Sequence, residues 1–281
     1  MSVTPSAEVT VPKLRSATIL NMLKKGLRAS GRGLTEFRPI EIVPGYVPNA
    51  DGSALVRLGN TVVVAGVKLE VGSPYPDTPN EGALVVSAEF MPTASPTFEP
   101  GPPDENAIEL ARVVDRALRE IKAIDMEKLV IVPGRRVWVV YVDIYVLDHD
   151  GNLVDASSIA ALAALLSTEV PKVEVDELGN VKVDRSSRLG PLQLRHKVVT
   201  VSVAKAENVL FVDPDIEEEK VCETKLVIAV SDDGRIAGMQ KSGLGALSVE
   251  EVPVATDIAL KVARDLLTTV ELSLAKPREL E

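Results

Sequence analysis

The sequence predicts an α/β (α+β) protein with sheets covered by helices, and three observations point there. Runs rich in β-branched and aromatic residues alternate with turn signals such as Gly59-Asn60 and Asp232-Asp233-Gly234. Longer stretches, at about 104–124 and 155–167, carry apolar residues at helical spacing or are rich in Ala and Leu. The order of strands, hairpins and then helix occurs twice, which suggests two pseudo-equivalent lobes.

Ser16 can cap a helix reaching about residue 28, with Ile19, Leu20, Leu23 and Leu27 on one face. Gly31-Arg32-Gly33 ends it. Residues 40–46 are β-like, and 54–58 with 61–69 form a hairpin about Gly59-Asn60. Residues 83–91 are a further strand. Residues 92–103 hold five prolines and read as a loop. The helix over 104–124 has an apolar stripe of Ile108, Ala111, Val114, Leu118 and Ile121. Residues 135–147 make a long strand, Asp150-Gly151-Asn152 turns the chain, and Asp155 or Ser157 begins a helix to about 167.

In the second half, 172–175 and 181–184 pair across a turn containing Leu178-Gly179-Asn180. Residues 198–204 and 209–212 are strands, and 225–230 pairs with 235–240. Ser248-Val249-Glu250-Glu251 fits a capping box for a C-terminal helix, although Pro253 favours a start nearer itself. No linker separates independent domains. The expected division is an N-terminal helix and arm over 1–30, a first lobe over 31–190 and a second over 191–281, in one integrated unit.

The chain has 281 residues, enough to bury a sizeable core, and 46% of them are hydrophobic. A single cysteine, Cys222, excludes an intramolecular disulfide framework and fits a reducing, cytoplasmic compartment. Residues 1–15 hold no apolar stretch of signal-peptide type, no run approaches the ~20 apolar residues of a membrane helix, and no lipidation signal stands at either end. The net charge of −10 argues against nucleic-acid binding when taken alone. It is unevenly spread, however. Residues 1–40 carry seven Lys/Arg and two Glu, 185–205 carry five Lys/Arg and no acid, and 207–223 carry seven acids and one Lys. Such blocks are either local basic and acidic faces or ordinary solvated surface. Only two Gln and eight Asn accompany many charged residues, a thermophile signal.

Phosphate-loop, dinucleotide and zinc signatures are absent. Gly243-Leu244-Gly245 lacks the third glycine of a dinucleotide fingerprint, and neither His149 nor His196 lies in a Cys/His cluster. No metal or cofactor is expected.

Several motifs resemble the ribonuclease PH family. They are Gly31-Arg32-Gly33 with Glu36-Phe37-Arg38-Pro39-Ile40, then Asp51-Gly52-Ser53-Ala54-Leu55-Val56, then Leu58-Gly59-Asn60-Thr61. Phe98-Glu99-Pro100-Gly101-Pro102-Pro103-Asp104-Glu105, Leu147-Asp148-His149-Asp150-Gly151-Asn152, Asp213-Pro214-Asp215-Ile216-Glu217-Glu218-Glu219 and Gly238-Met239-Gln240-Lys241-Ser242-Gly243 are similar to one branch, the non-catalytic ring subunits of the archaeal exosome. The resemblance runs from about residue 16 to 270. It implies two lobes with the fold of the second domain of ribosomal protein S5. It further implies a hetero-hexameric ring, a trimer of heterodimers with a catalytic ribonuclease PH-like paralogue, capped by S1- and KH- or zinc-ribbon-containing proteins. Such a ring degrades single-stranded RNA from its 3′ end by phosphorolysis, releasing nucleoside diphosphates.

Where active members carry Gly-Ser/Thr-Arg to hold phosphate, this chain has Asn152, Leu153 and Val154, which supply neither hydroxyl nor guanidinium. Active members also carry two aspartates six residues apart. Asp213 and Glu219 occupy those places, and the bland reading is that Asp213 caps a turn while 217–219 is a solvated acidic loop. No catalytic residue is therefore assigned. On the helix over 104–124, Arg112 and Arg116 are one turn apart. The resemblance assigns them to RNA reaching the neighbouring catalytic site. The alternative is an ion-pair ladder with Glu109 and Glu120, contributing about 0.3–0.5 kcal/mol per pair. Arg32, Arg38 and Arg119 are not assigned, and Arg38 is read as holding the start of a strand. The expectation is thus a non-catalytic, RNA-binding subunit; the alternatives are a catalytically active phosphate-dependent exoribonuclease and a scaffold without RNA contact.

Overall fold

The computed structural model describes residues 13–177 and 179–275. Leu178 of the expected turn and residues 1–12 of the expected N-terminal arm lie outside the described residues. Helix α1, Lys13–Lys24, is followed by strands β1 (Ile40–Pro44), β2 (Gly52–Leu58), β3 (Thr61–Gly72) and β4 (Ala83–Phe90). Helix α2 is Glu105–Glu120; after a short 3-10 turn come β5 (Val130–Val132), β6 (Arg136–Asp148) and α3 (Leu153–Leu166). The second half holds β7 (Glu169–Val175), β8 (Val181–Pro191), β9 (Val198–Ala206), β10 (Val209–Val212), α4 (Ile216–Val221), β11 (Thr224–Ser231), β12 (Ile236–Ser242) and α5 (Glu251–Leu274).

The first sheet runs β1-β2-β3-β6-β4, with β5 paired to β6; the second runs β10-β9-β11-β12; β7 and β8 form a separate ribbon. All pairs are antiparallel except β4 with β6. The Ala/Leu-rich α3 is buried on nearly every side because it lies between the sheets, against β2 and β3 of the first and β9 of the second. A helix that is apolar all round can satisfy its surface only in such a position. Helix α2 rests on β4 and β12, and α5 on β9, β11 and β1.

Most expected elements form, with shifted ends. Ser16 lies inside α1, not at its cap, and the helix stops at Lys24 because Gly26 takes φ +72°. Leu27, expected on the buried face, is 55% exposed. Ile108 is likewise 50% exposed: α2 is covered from two sides, so its buried arc is Leu110, Ala111, Val113, Val114, Ala117 and Leu118. The expected capping box is present, with Ser248 and Glu251 exchanging backbone-to-side-chain hydrogen bonds of 2.6 and 3.2 Å ahead of α5. Among the described residues no helix is long and apolar enough to cross a membrane.

The region 213–219 differs most from expectation. It is neither a capped turn nor a solvated loop. Asp215 and Glu218 form a capping box that opens α4, and Glu218 and Asp213 are both buried. Asp213 accepts from Arg38 Nη2 at 2.8 Å, Arg32 Nη1 at 2.7 Å and Asn152 Nδ2 at 2.9 Å. Glu218 takes both forks of the buried Arg28, which also donates to the carbonyls of Val212 (2.8 Å) and Asp213 (2.7 Å). Burial alone would push the Asp213 carboxyl up; the Arg38 guanidinium outweighs it and holds the group below the usual carboxylate range. Arg38 does hold the start of β1, by clamping the loop before it to Asp213.

Candidate functional site

The site of interest begins at the first turn of α3. Gly151 has φ +85°, and a Cβ there would lie 2.5 Å from the backbone of Asp215, so only glycine lets this loop pass so close to α4. Asn152 follows in the left-handed region at φ +53°, ψ +47°. Its buried amide donates to Asp155 and Asp213, 2.9 Å each. Its backbone N–H donates to Glu219 Oε1 at 3.3 Å, and the same oxygen accepts from Lys225 Nζ at 2.6 Å. An internal carboxylate thus takes the amide that the helix terminus offers to an anion. Burial pushes the Lys225 ammonium down, but Glu219 beside it outweighs this and raises it. Leu153 and Val154 face an adjoining cleft of about 480 Å³, shared with Phe98 and His149, whose rings stack at 5.3 Å. Burial lowers the His149 imidazole below its ordinary value. No guanidinium lines this cleft, and neither does Asp213.

Asp155, one turn into α3, is wholly buried and accepts from Thr200 Oγ1 (2.8 Å), the Ser202 N–H (2.7 Å), Ser202 Oγ (3.0 Å) and Asn152. It thereby pins α3 to β9. Burial pushes its carboxyl up to about 6, against the pull of these donors. An acid raised above its unfolded value of about 3.9 favours folding most when neutral. Stability from this group is therefore greatest below pH ~4, falls as pH rises to about 6, and is flat above. The fall is expected to be about 3 kcal/mol. Asp155→Asn should keep the fold, since the two hydroxyls can rotate to accept from the new amide. It should also remove that slope. Denaturant unfolding of both proteins from pH 4 to 7 checks this; parallel curves would refute it.

The sequence's charge blocks resolve mostly inside the molecule. The cations of 1–40 meet the acids of 207–223: Arg15 with Glu217, Lys24 with Glu207, Arg28 with Glu218, and both Arg32 and Arg38 with Asp213. All five cations of 185–205 have acidic partners, Arg185 and Arg188 sharing the buried Asp51. His196 lies 3.6 and 3.7 Å from Asp232 and Asp233, a grouping the sequence reading missed, but Arg235 bonds both His196 and Asp233 and supplies the cation there.

Helix α2 behaves differently. Asp104 caps it, its side chain accepting the Ala107 N–H at 2.8 Å, and this fixes the rotation of its outer face. The alternative ladder does not form: neither Arg112 nor Arg116 pairs with an acid among the described residues. Both are exposed, and among the described residues Arg116 donates only to Gln240 Oε1 of β12, at 3.0 Å. Arg119 is instead locked to Asp115 by two bonds and to the Leu84 carbonyl. Arg112 and Arg116 thus stand one turn apart on α2 with no acidic partner among the described residues.

Fold and motifs together define a ribonuclease PH-type protein. Residues 36–171 match domain 1 of the 3′ exoribonuclease family and residues 196–262 match domain 2, and the chain belongs to that family. Among its relatives, the exosome complex component Rrp42 of Sulfurisphaera tokodaii is 51% identical over 266 residues, 95% of this chain and 96% of that protein. The Saccharolobus solfataricus protein of the same name is 49% identical over 267 residues, 95% and 97% respectively. Of solved structures, a chain of the Archaeoglobus fulgidus exosome with RNA bound to the active site superposes with a TM-score of 0.82 at 46% identity, covering 91% of this chain and 97% of that one. A chain of an archaeal exosome core gives 0.79 at 43% identity, covering 92% and 96%.

Proposed function

We propose that this chain is a subunit of an archaeal exosome, a 3′→5′ exoribonuclease complex. In this reading it performs no phosphorolysis itself, binds single-stranded RNA through Arg112 and Arg116, and helps structure the active site of a catalytic ribonuclease PH-like paralogue. The near-complete match to the Rrp42 proteins supports membership of such a complex. The single observation that carries the non-catalytic part is the start of α3. There Leu153 and Val154 stand at the cleft, Asn152 is spent on internal carboxylates, and Glu219 takes the amide. A phosphate placed there would meet the Glu219 carboxylate and aliphatic carbon; Lys225, already paired with Glu219, and Lys220 also line the cleft, but neither ammonium gives the bidentate contact of a guanidinium.

The same reading includes a hetero-hexamer with that paralogue, S1-, KH- or zinc-ribbon-containing cap proteins, a cytoplasmic location and two lobes meeting near residue 190. The test is nucleoside diphosphate release from single-stranded RNA by the chain alone, the paralogue alone and the co-purified pair. The pair is expected to release product only with phosphate present, and the chain alone none. Phosphate-dependent turnover by the isolated chain would promote the active-enzyme reading instead.

A further inference from the structure

Of the two histidines, His196 stands among acids. It lies in the link between β8 and β9, where its backbone N–H donates to the Ala123 carbonyl at 3.3 Å. Asp232 and Asp233 come from the turn between β11 and β12, in which Gly234 takes φ +81°. The Asp232 N–H donates to the Lys197 carbonyl at 2.9 Å, which fastens the turn beside the link. His196 Nδ1 stands 3.6 Å from Asp232 Oδ1 and 3.7 Å from Asp233 Oδ2, and the three donor atoms all lie within 4.8 Å of one another. These gaps are too long for hydrogen bonds, which need about 2.7–3.2 Å between heavy atoms. They suit atoms that share one ion. Ligands at about 2.0–2.2 Å around a tetrahedral zinc stand roughly 3.3–3.6 Å apart. The two acids are exposed side chains, free to turn by the remaining distance.

The surroundings orient these donors. Asp233 Oδ1 accepts from Ser231 Oγ and from the Arg235 N–H at 3.2 Å, which turns Oδ2 toward the ring. Outer contacts of this kind fix a ligand before the ion arrives. The cations beside His196 in sequence are spent elsewhere, Arg195 on Asp125 and Glu127, and Lys197 on Glu271. Arg235 answers only part of the negative charge. Its Nε lies 2.6 Å from Asp233 Oδ2, while Nη2 lies 2.8 Å from His196 Nε2 and 3.4 Å from Nδ1, off the Nδ1 lone pair. Among the described residues the Asp232 carboxylate accepts no hydrogen bond, with His196 Nδ1 3.6 Å away. One guanidinium against two carboxylates leaves a negative charge over. The Arg235 side chain is 57% exposed, and exposed pairs hold weakly.

We propose that His196, Asp232 and Asp233 form a zinc site, with Arg235 swinging out as the ion enters and water taking the fourth position. Two carboxylates neutralise the ion, and the imidazole favours zinc over magnesium and calcium, which prefer all-oxygen shells. The ion would pin the β11–β12 turn to the segment leading into β9. The site is remote in argument from Arg112 and Arg116, and its test is independent of the RNA-binding reading.

The experiment titrates zinc chloride into the full-length chain, free of any histidine tag, by calorimetry at neutral pH. One ion per chain is expected. His196→Ala and Asp232→Asn should each weaken binding about tenfold or more. Arg235→Ala removes the competing cation and should tighten binding about fivefold. Excess magnesium should change zinc affinity by no more than about twofold. Zinc should raise the melting temperature of wild type and leave that of His196→Ala where it was, because only a folded-state site shifts the equilibrium. Equal melting temperatures without zinc show that the variants fold. Zinc binding that survives His196→Ala unchanged would put the ion elsewhere and overturn the proposal. So would a wild-type chain that takes no zinc up to millimolar concentration. Weaker binding in Arg235→Ala would overturn it as well, since the guanidinium would then support the ligands and not compete with the ion.

Discussion

Replacing Arg28 with methionine is expected to destabilise the protein by about 3–5 kcal/mol, the scale of breaking one half of a buried ion pair. Arg28 is 2% exposed and Glu218 1%. The guanidinium bonds both carboxylate oxygens and the carbonyls of Val212 and Asp213, and it lies 5.2 Å from the centroid of the Phe211 ring. Methionine fills similar volume but leaves Glu218 charged, buried and short of donors, with Arg32 3.7 Å away as its remaining cation. For a chain of this size the melting temperature should fall on the order of 10 °C. Lysine at position 28 should recover little, because a point charge cannot serve a carboxylate and two carbonyls at once. Removing the second charge as well, in Arg28→Met with Glu218→Leu, should recover part of the loss, since no unpaired ion then remains. Thermal and denaturant unfolding of the four proteins decide it; a single substitution that melts within a degree or two of wild type would show that the pair contributes nothing.

The largest functional effect is expected from Arg112→Glu with Arg116→Glu. If each guanidinium holds a phosphate of the RNA, reversing both charges should weaken RNA binding by the assembled ring on the order of 100-fold at low salt. The log–log dependence of affinity on salt should flatten by at most about one unit per lost contact. Phosphorolysis by the ring should slow in parallel at limiting RNA. Lys261→Glu with Arg264→Glu makes the same charge change on exposed positions of α5 and serves as the control. Both variants must be shown to assemble. Asp213 is unsuited to such a comparison: its removal would take from Arg38 and Arg32 their nearest carboxylate, leaving only longer contacts of 3.6 Å to Asp150 and 3.7 Å to Glu218. Unchanged binding and salt dependence in the arginine variant would leave the scaffold reading as the better one.

The sequence alone was enough for the α/β class, the hairpin at Gly59-Asn60, the α2 helix with Arg112 and Arg116 a turn apart, and the lack of a hydroxyl or guanidinium side chain at Asn152-Leu153-Val154. Each of these is written in neighbours along the chain: turn chemistry, 3.6-residue periodicity and the identity of consecutive residues. A local signal for α4 was also present, in the Asp215–Glu218 spacing of a capping box, but its acidic composition read as solvated surface. The state of the charges was decided by tertiary structure alone. Glu218 is buried because Arg28, 190 residues earlier in the chain, reaches it, and Asp213 because Arg32, Arg38 and Asn152 converge on it. Whether a charged side chain is buried depends on a partner that desolvates with it, and that partner's distance in sequence carries no periodic mark. The same holds for the ladder that α2 does not form and for the carboxylate of Glu219 at the start of α3. These pairings exist only once the sheets and helices have packed, because contact energies act between atoms near in space and not between residues near in sequence.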